Sequence, residues 1–107
     1  MSIEFKCSLS TPQGSLLDGT ATSVIAPGVL GQFGVWANHE NMLAILQEGV
    51  LIITLNDKSQ YFAIDSGSLE VHENHDVTIL VDTALVAENE KDAKKKILKF
   101  QTPPTET

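Results

Sequence analysis

The string His72-Glu73-Asn74-His75 is the part of this sequence that looks most like an enzyme. Imidazoles with a glutamate between them can hold a metal and activate water, and His72, His75 and Asp76 could in principle serve a small metal-dependent hydrolase. A zinc-protease motif, however, needs histidines at i and i+4 on a helix. Here they are three apart, and Glu73-Asn74-His75-Asp76 lies between two apolar runs where a hairpin turn is expected. A solvated polar turn is the expectation. His39-Glu40 could form an acid–base pair, but adjacent residues on an extended segment point opposite ways, so a buried or interfacial histidine is expected. Cys7 stands mid-strand beside a single lysine and reads as a buried structural thiol. Gly28-Val29-Leu30-Gly31 lacks the Gly-Lys-Ser/Thr of a phosphate loop and reads as a tight turn. The lysines at 94–96 are nearly cancelled by local acids and form a solvated helix face. No catalytic constellation emerges from these residues.

Composition narrows the function classes further. The chain has 107 residues and a formal charge of -7, with 42% hydrophobic and 20% charged residues. That is one domain with one core, too short for two lobes and a cleft. Seven lysines, no arginine and a net negative charge argue against nucleic acid, which needs a basic face. A lone cysteine implies no internal disulfide and a reducing compartment. No apolar run approaches the length of a membrane helix, and no leader pattern opens the chain, so a soluble protein that acts where it is made is expected. The charge is uneven: residues 1–87 hold two lysines against ten acids, and residues 88–107 hold five lysines against four acids. The organisational boundary is placed there, with a β domain over 1–87 and a short C-terminal helix and mobile tail over 88–107.

The elements that must position these side chains are mostly strands. Residues 3–9 alternate apolar and polar, Thr11-Pro12-Gln13-Gly14 turns, and residues 20–26 read as a second strand ending at Pro27-Gly28. Further strands are expected over 33–37, 50–55, 60–64, 69–72 and 77–81, with Asn56-Asp57-Lys58 as a hairpin loop. Residues 39–47 suit either a helical turn or a strand. Short strands with no crossover helix predict an all-β sandwich or barrel. After residue 88 the pattern becomes helical over about 12 residues. Asn89 caps, Asp92 completes a capping-box-like pair, Glu90–Lys94 and Asp92–Lys96 face each other at i,i+4, and Pro103-Pro104 ends the helix. Its apolar stripe of Ala93, Ile97 and Phe100 is thin, so it must lie on something.

The apolar residues exceed what one interior can hide. In residues 50–55 the sets Val50/Ile52 and Leu51/Ile53/Leu55 are both apolar, whereas a strand with one wet face should alternate. Val77, Ile79 and Val81 are backed by Leu80, and Met42-Leu43-Ala44-Ile45-Leu46 is two-sided as well. The second set must be covered by the C-terminal helix, by another chain, or by both. This favours an interaction module over an enzyme.

Several strings taken together resemble one family. They are Thr11-Pro12-Gln13-Gly14, Asp18-Gly19, Pro27-Gly28, Gly31-Gln32-Phe33-Gly34-Val35, His39, Glu48-Gly49-Val50, Ser66-Gly67-Ser68-Leu69-Glu70-Val71 and Val77-Thr78-Ile79-Leu80-Val81-Asp82-Thr83-Ala84. In order and spacing over about residues 3–87 they resemble the epsilon subunit of F-type ATP synthase. The resemblance implies a ten-stranded β-sandwich followed by a helical part. It implies a rotor subunit that binds the gamma subunit and the membrane rotor ring and couples proton flow to ATP synthesis. Such a subunit has no active site, cofactor, metal or small-molecule substrate of its own. On this resemblance Gln32 falls in the loop presented to the ring, His39 falls where the family's histidine meets gamma, and Met42 and Leu43 join the partner interface. The expected location is the cytoplasmic face of a bacterial inner membrane, peripherally and through the complex. The chain departs from the family at Ala37-Asn38, Asn41, Ser68 and Val81, and Gln32 is often acidic in relatives. The family's C-terminal part is two helices, of which the second is absent here. No nucleotide site and weak or absent inhibition of ATP hydrolysis are therefore expected. The alternative is a free-standing β-sandwich protein-interaction adaptor.

Overall fold

The computed structural model describes residues 3–101. Its strands are β1 (Phe5–Thr11), β2 (Gly14–Ala21), β3 (Ser23–Gly28), β4 (Gly31–Trp36), β5 (Met42–Leu46), β6 (Gly49–Leu55), β7 (Lys58–Ile64), β8 (Gly67–Val71), β9 (Val77–Val81) and β10 (Ala84–Ala87). One helix, α1 (Glu90–Gln101), follows. The expectation of an all-β protein with a short C-terminal helix holds, and the ten strands form a sandwich. Residues 39–47 resolve into strand β5 rather than a helical turn. The expected strand over 20–26 is divided at Thr22: its first two residues end β2, which starts at Gly14 of the expected turn and runs through residues 15–19, where no strand is expected. Polar Ser15 and Asp18, with Gly19, hide that stretch, because β2 is an edge strand paired only with β1. The mobile tail and the Pro103-Pro104 stop fall outside the described residues.

The hydrogen-bonded order is β10-β7-β6-β3-β5-β8-β9-β1-β2, with β4 on β3. The sheet turns its corner between β3 and β5, where Gly28 pairs with Leu46 as their only registered pair. One layer is therefore β4-β3-β6-β7-β10 and the other is β5-β8-β9-β1-β2. All pairings are antiparallel except β1 with β9. Inward side chains alternate along every strand, as a two-residue period requires. Leu9, Val24, Val35, Leu51, Ile53, Phe62, Ile64, Leu69 and Ile79 are fully or almost fully buried in one cluster.

Local chemistry sets the turns. Asn56 and Asp57 both have positive φ, at 48° and 68°, so β6 and β7 are joined by a two-residue turn of the twist that antiparallel hairpins favour. Gly67 pairs with Val81, and a Cβ there would run into the Leu80 carbonyl and the Val81 backbone. Only glycine fits that approach.

Helix α1 starts as its sequence dictates. The Asn89 side chain accepts from the Asp92 amide at 2.8 Å, and the Asp92 carboxylate accepts from the Glu88 amide at 3.0 Å. Both i,i+4 pairs are present, Lys96–Asp92 at 2.8 Å and Lys94–Glu90 at 3.5 Å. The Lys96 bond, followed by the Glu88 amide, holds the Asp92 carboxyl below its ordinary value. The helix lies across β10, β7 and β6. Ala63 on the outward side of β7, Ala87 and Ala93 are buried there, outside the central cluster. Small residues on helix and sheet let the two backbones approach, and Val50 and Ile52 become half-buried. The helix thus covers one of the two-sided runs.

Cys7 is 1% exposed in the core cluster. Burial first, and the nearby Asp18 charge second, push its thiol up to about 12 from 9.0. The folded state then holds a proton that the unfolded chain releases above about pH 9, so folding stability falls as pH rises from about 9 toward 12. At about 1.4 kcal/mol per pH unit the full loss is about 4 kcal/mol. Urea melts across this range should show the slope, and Cys7→Ala should flatten it. A thiol reagent near neutral pH should label Cys7 only after unfolding.

Candidate interaction surface

With α1 lying on the β4-β3-β6-β7-β10 layer, the outward face of the other layer has no cover from this chain's described elements. Register shows what that face presents. One row across it is Ile45, Ser68, Leu80 and Ser10, on β5, β8, β9 and β1. The next row is Leu43, Glu70, Thr78, Ser8 and Asp18. Leu43 is 66% exposed, Ile45 55% and Leu80 53%. Three large apolar side chains therefore stand among serines and threonines, with Glu70 in their midst.

The β3–β4 turn extends this surface. The Val29 amide donates to the Ile45 carbonyl at 3.0 Å, which ties the hairpin tip to β5. Val29 is half-exposed and Leu30 is fully exposed at 101%. Between the tip and β5 runs an apolar groove of about 520 Å³, whose lining includes Leu30, Gln32, Phe33, Met42, Leu43 and Ile45. Contiguous exposed apolar groups of this kind mark interaction surfaces.

The structure brings Gln32, Met42 and Leu43 together in this one groove. Gln32 is exposed near the start of β4, and it also borders the crevice where Lys94 and Ile97 of α1 meet β6. Met42 turns inward against the core, while Leu43 points out. His39 does not line the groove. It lies in the loop after β4, half-buried, and its Nδ1 donates to the Glu40 carbonyl at 2.9 Å. The sequence reading did not assign Ile45, Leu80, Val29, Leu30 and Glu70 to an interface. Ile45 and Leu80 were legible as surplus apolar residues, but only the register places them on one face.

Each histidine is held by a hydrogen bond. His72 Nε2 meets the Thr78 hydroxyl at 2.9 Å, and its Nδ1 lies 3.6 Å from Glu70. His75 has φ 71° in the β8–β9 turn, and its Nδ1 donates to the His39 carbonyl at 3.2 Å. Asp76 is occupied with Asn74. Among the described residues, no group of three or more His, Cys, Asp or Glu side chains could hold a metal ion. No helix among them is long and apolar enough to cross a membrane.

Comparison with known proteins agrees with this architecture. Residues 4–87 match the family described as ATP synthase, Delta/Epsilon chain, beta-sandwich domain. The chain belongs to that family. Among its relatives are the ATP synthase epsilon chain of Helicobacter pylori strain 26695, 40% identical over 87 residues, and that of Xanthomonas oryzae pv. oryzae, 37% identical over 95 residues. The first alignment covers 81% of this chain and 70% of the relative, and the second covers 88% and 67%. A chain in the mitochondrial ATP synthase of Euglena gracilis (OSCP/F1/c-ring) shares the fold at TM-score 0.76 and 20% identity, over 99% of this chain and 71% of that one. A chain in the central stalk and c-ring of the Tetrahymena thermophila enzyme does so at TM-score 0.68 and 20% identity, over 76% and 65%. The family resemblance read from the motifs is thereby established.

Within this delta/epsilon-family chain the His75–His39 bond links the β4–β5 loop to the β8–β9 turn. A carbonyl oxygen only accepts, so both imidazoles must carry the proton on Nδ1. His75→Ala should speed hydrogen exchange at residues 38–41 while leaving exchange in the core strands unchanged. Nitrogen NMR of the wild type should report the Nδ1–H form for His75.

Proposed function

We propose that this chain is a non-catalytic central-stalk subunit of a proton-translocating ATP synthase, and that it works by being held between two partners. The observation that carries this reading is the uncovered apolar face of Leu43, Ile45 and Leu80, continuous with the Val29-Leu30 tip. Covering a large apolar side chain contributes roughly 1.5–3 kcal/mol, so three of them supply a substantial drive for docking. The gamma subunit takes the face of the β5-β8-β9-β1-β2 layer, with His39 at its margin. The rotor ring takes the hairpin tip, where Gln32 offers a neutral amide that donates and accepts.

The mechanism is mechanical. A face of short serines and threonines costs little side-chain entropy to immobilise, so a rigid contact can pass torque between ring and stalk. The β-sandwich domain over 1–87 does the docking, and α1 closes its other side. The chain binds no nucleotide or other small molecule and has no active site of its own. It sits peripherally at the cytoplasmic face of a bacterial inner membrane, by way of the complex. Its helix is occupied in covering β6, β7 and β10, which supports weak or absent inhibition of ATP hydrolysis.

Two measurements test this. Leu43→Asp combined with Ile45→Asp should weaken binding to purified gamma by at least about 30-fold, since each replaces a covered apolar group with a desolvated charge. The thermal midpoint should barely move, because both side chains are exposed. A free-standing adaptor would instead bind neither gamma nor the catalytic head, with or without the substitutions. Deleting residues 88–107 from the assembled enzyme should leave its ATP hydrolysis rate unchanged, and a several-fold rise would show that the short tail inhibits.

A further inference from the structure

Glu70 is the one charged residue between Leu43 and Asp18 in its row across the docking face. Leu43 is its registered neighbour on β5, and Thr78 is its neighbour on β9. Two residues back on β8 is Ser68, which stands between Ile45 and Leu80 in the adjacent row. The carboxylate thus has Leu43 beside it and Ile45 and Leu80 diagonal to it. It also borders a polar cavity with Asn41, His72, Glu73 and Asp76, and its side chain is 53% exposed in the free subunit. His72 lies 3.6 Å away, beyond hydrogen-bond length, and carries a charge only when protonated. Its other nitrogen is held by Thr78. Other charges on this side are Glu73 and Asp76 in the β8–β9 turn, which share a cavity with Glu70, Lys6 on β1 and Asp18 on β2, with exposed Asp82 just past β9. The face is therefore apolar at its centre and acidic on balance.

Covering such a face removes water from Glu70. An ion buried without a counter-charge is strongly destabilising, so an apolar partner surface alone would not fit. We propose that the partner surface that docks here carries a lysine or arginine placed over Glu70, seated among apolar groups that meet Leu43, Ile45 and Leu80. This rests on the proposal that gamma takes this face, and it adds the chemistry by which gamma is recognised. Glu70 then sets specificity and orientation: the three apolar contacts tolerate small rotations of the partner, whereas one buried ion pair fixes a single register. The acidic balance of the surroundings also steers a basic surface toward it.

The test uses the full chain and purified gamma from the same enzyme. Affinity is measured at low and high salt for wild type, Glu70→Gln, Glu70→Lys and the Leu43→Asp variant, with thermal melting as the folding control. Glu70→Gln should weaken binding by about 30-fold or more by leaving the partner's cation unpaired, and Glu70→Lys should weaken it further. Glu70→Asp should recover part of the loss. Wild-type affinity should fall with salt, and that of Glu70→Gln should fall less. If both Glu70→Gln and Glu70→Lys bind as wild type while Leu43→Asp does not, gamma docks here without a cation over Glu70, and the inference is wrong. If Leu43→Asp also binds as wild type, the docking proposal itself fails.

Discussion

A sandwich of ten strands has four faces, two of which meet in the interior, and the described residues supply one helix of 12 residues to cover the rest. That shortage is the constraint on which the structure depends. Val50 and Ile52 are apolar because α1 lies over β6, and Ala63, Ala87 and Ala93 are small because helix and sheet approach closely there. Leu43, Ile45 and Leu80 are apolar on the opposite face, where the described part of the chain offers no cover. The same surplus of apolar strand surface is covered by α1 on one side and left open by the described residues on the other.

Much of this was legible in the sequence, for identifiable reasons. Asn56-Asp57 specifies a tight hairpin through its tolerance of positive φ, and the capping residues Asn89 and Asp92 locate the start of α1 within a residue or two. The two-sided runs announced that an outer face needed cover. The first part of β2 was not legible, because an edge strand with one partner tolerates Ser15, Asp18 and Gly19, and so loses the apolar alternation by which strands are read. The interface as a surface was also illegible. Leu43 and Leu80 are far apart in the chain, and only the pairing of β5 to β8 and of β8 to β9 brings their columns onto one face. Gln32, Met42 and Leu43 were named from motif and pattern, and the groove that joins them needed the Gly28–Leu46 corner.

The polar residues that first suggested chemistry have a different use here. His75 and His39 are bonded to backbone carbonyls, and Asp76 is held in its own turn with Asn74. These bonds brace the β4–β5 loop against the β8–β9 turn, at one end of the docking layer. A loop braced in this way has less left to order if a partner docks on it. His72, Glu73, Asn74 and Asp76 do line one polar cavity of about 600 Å³ with Glu70, but His72 is bonded there to Thr78 and Asp76 to Asn74, and among the described residues no three such groups are arranged to hold a metal ion.

Rigidity and selectivity therefore come from different parts of the same face. Short hydroxyl side chains at Ser8, Ser10, Ser68 and Thr78 keep it low and stiff, so that apolar groups can be pressed flat without freezing long flexible chains. Such a face alone would be indiscriminate, and it would favour association with any oily surface. A single carboxylate among the apolar groups changes that balance, because every partner lacking a cation must bury it unpaired. On the proposed function, strong attachment can then coexist with a choice of one partner.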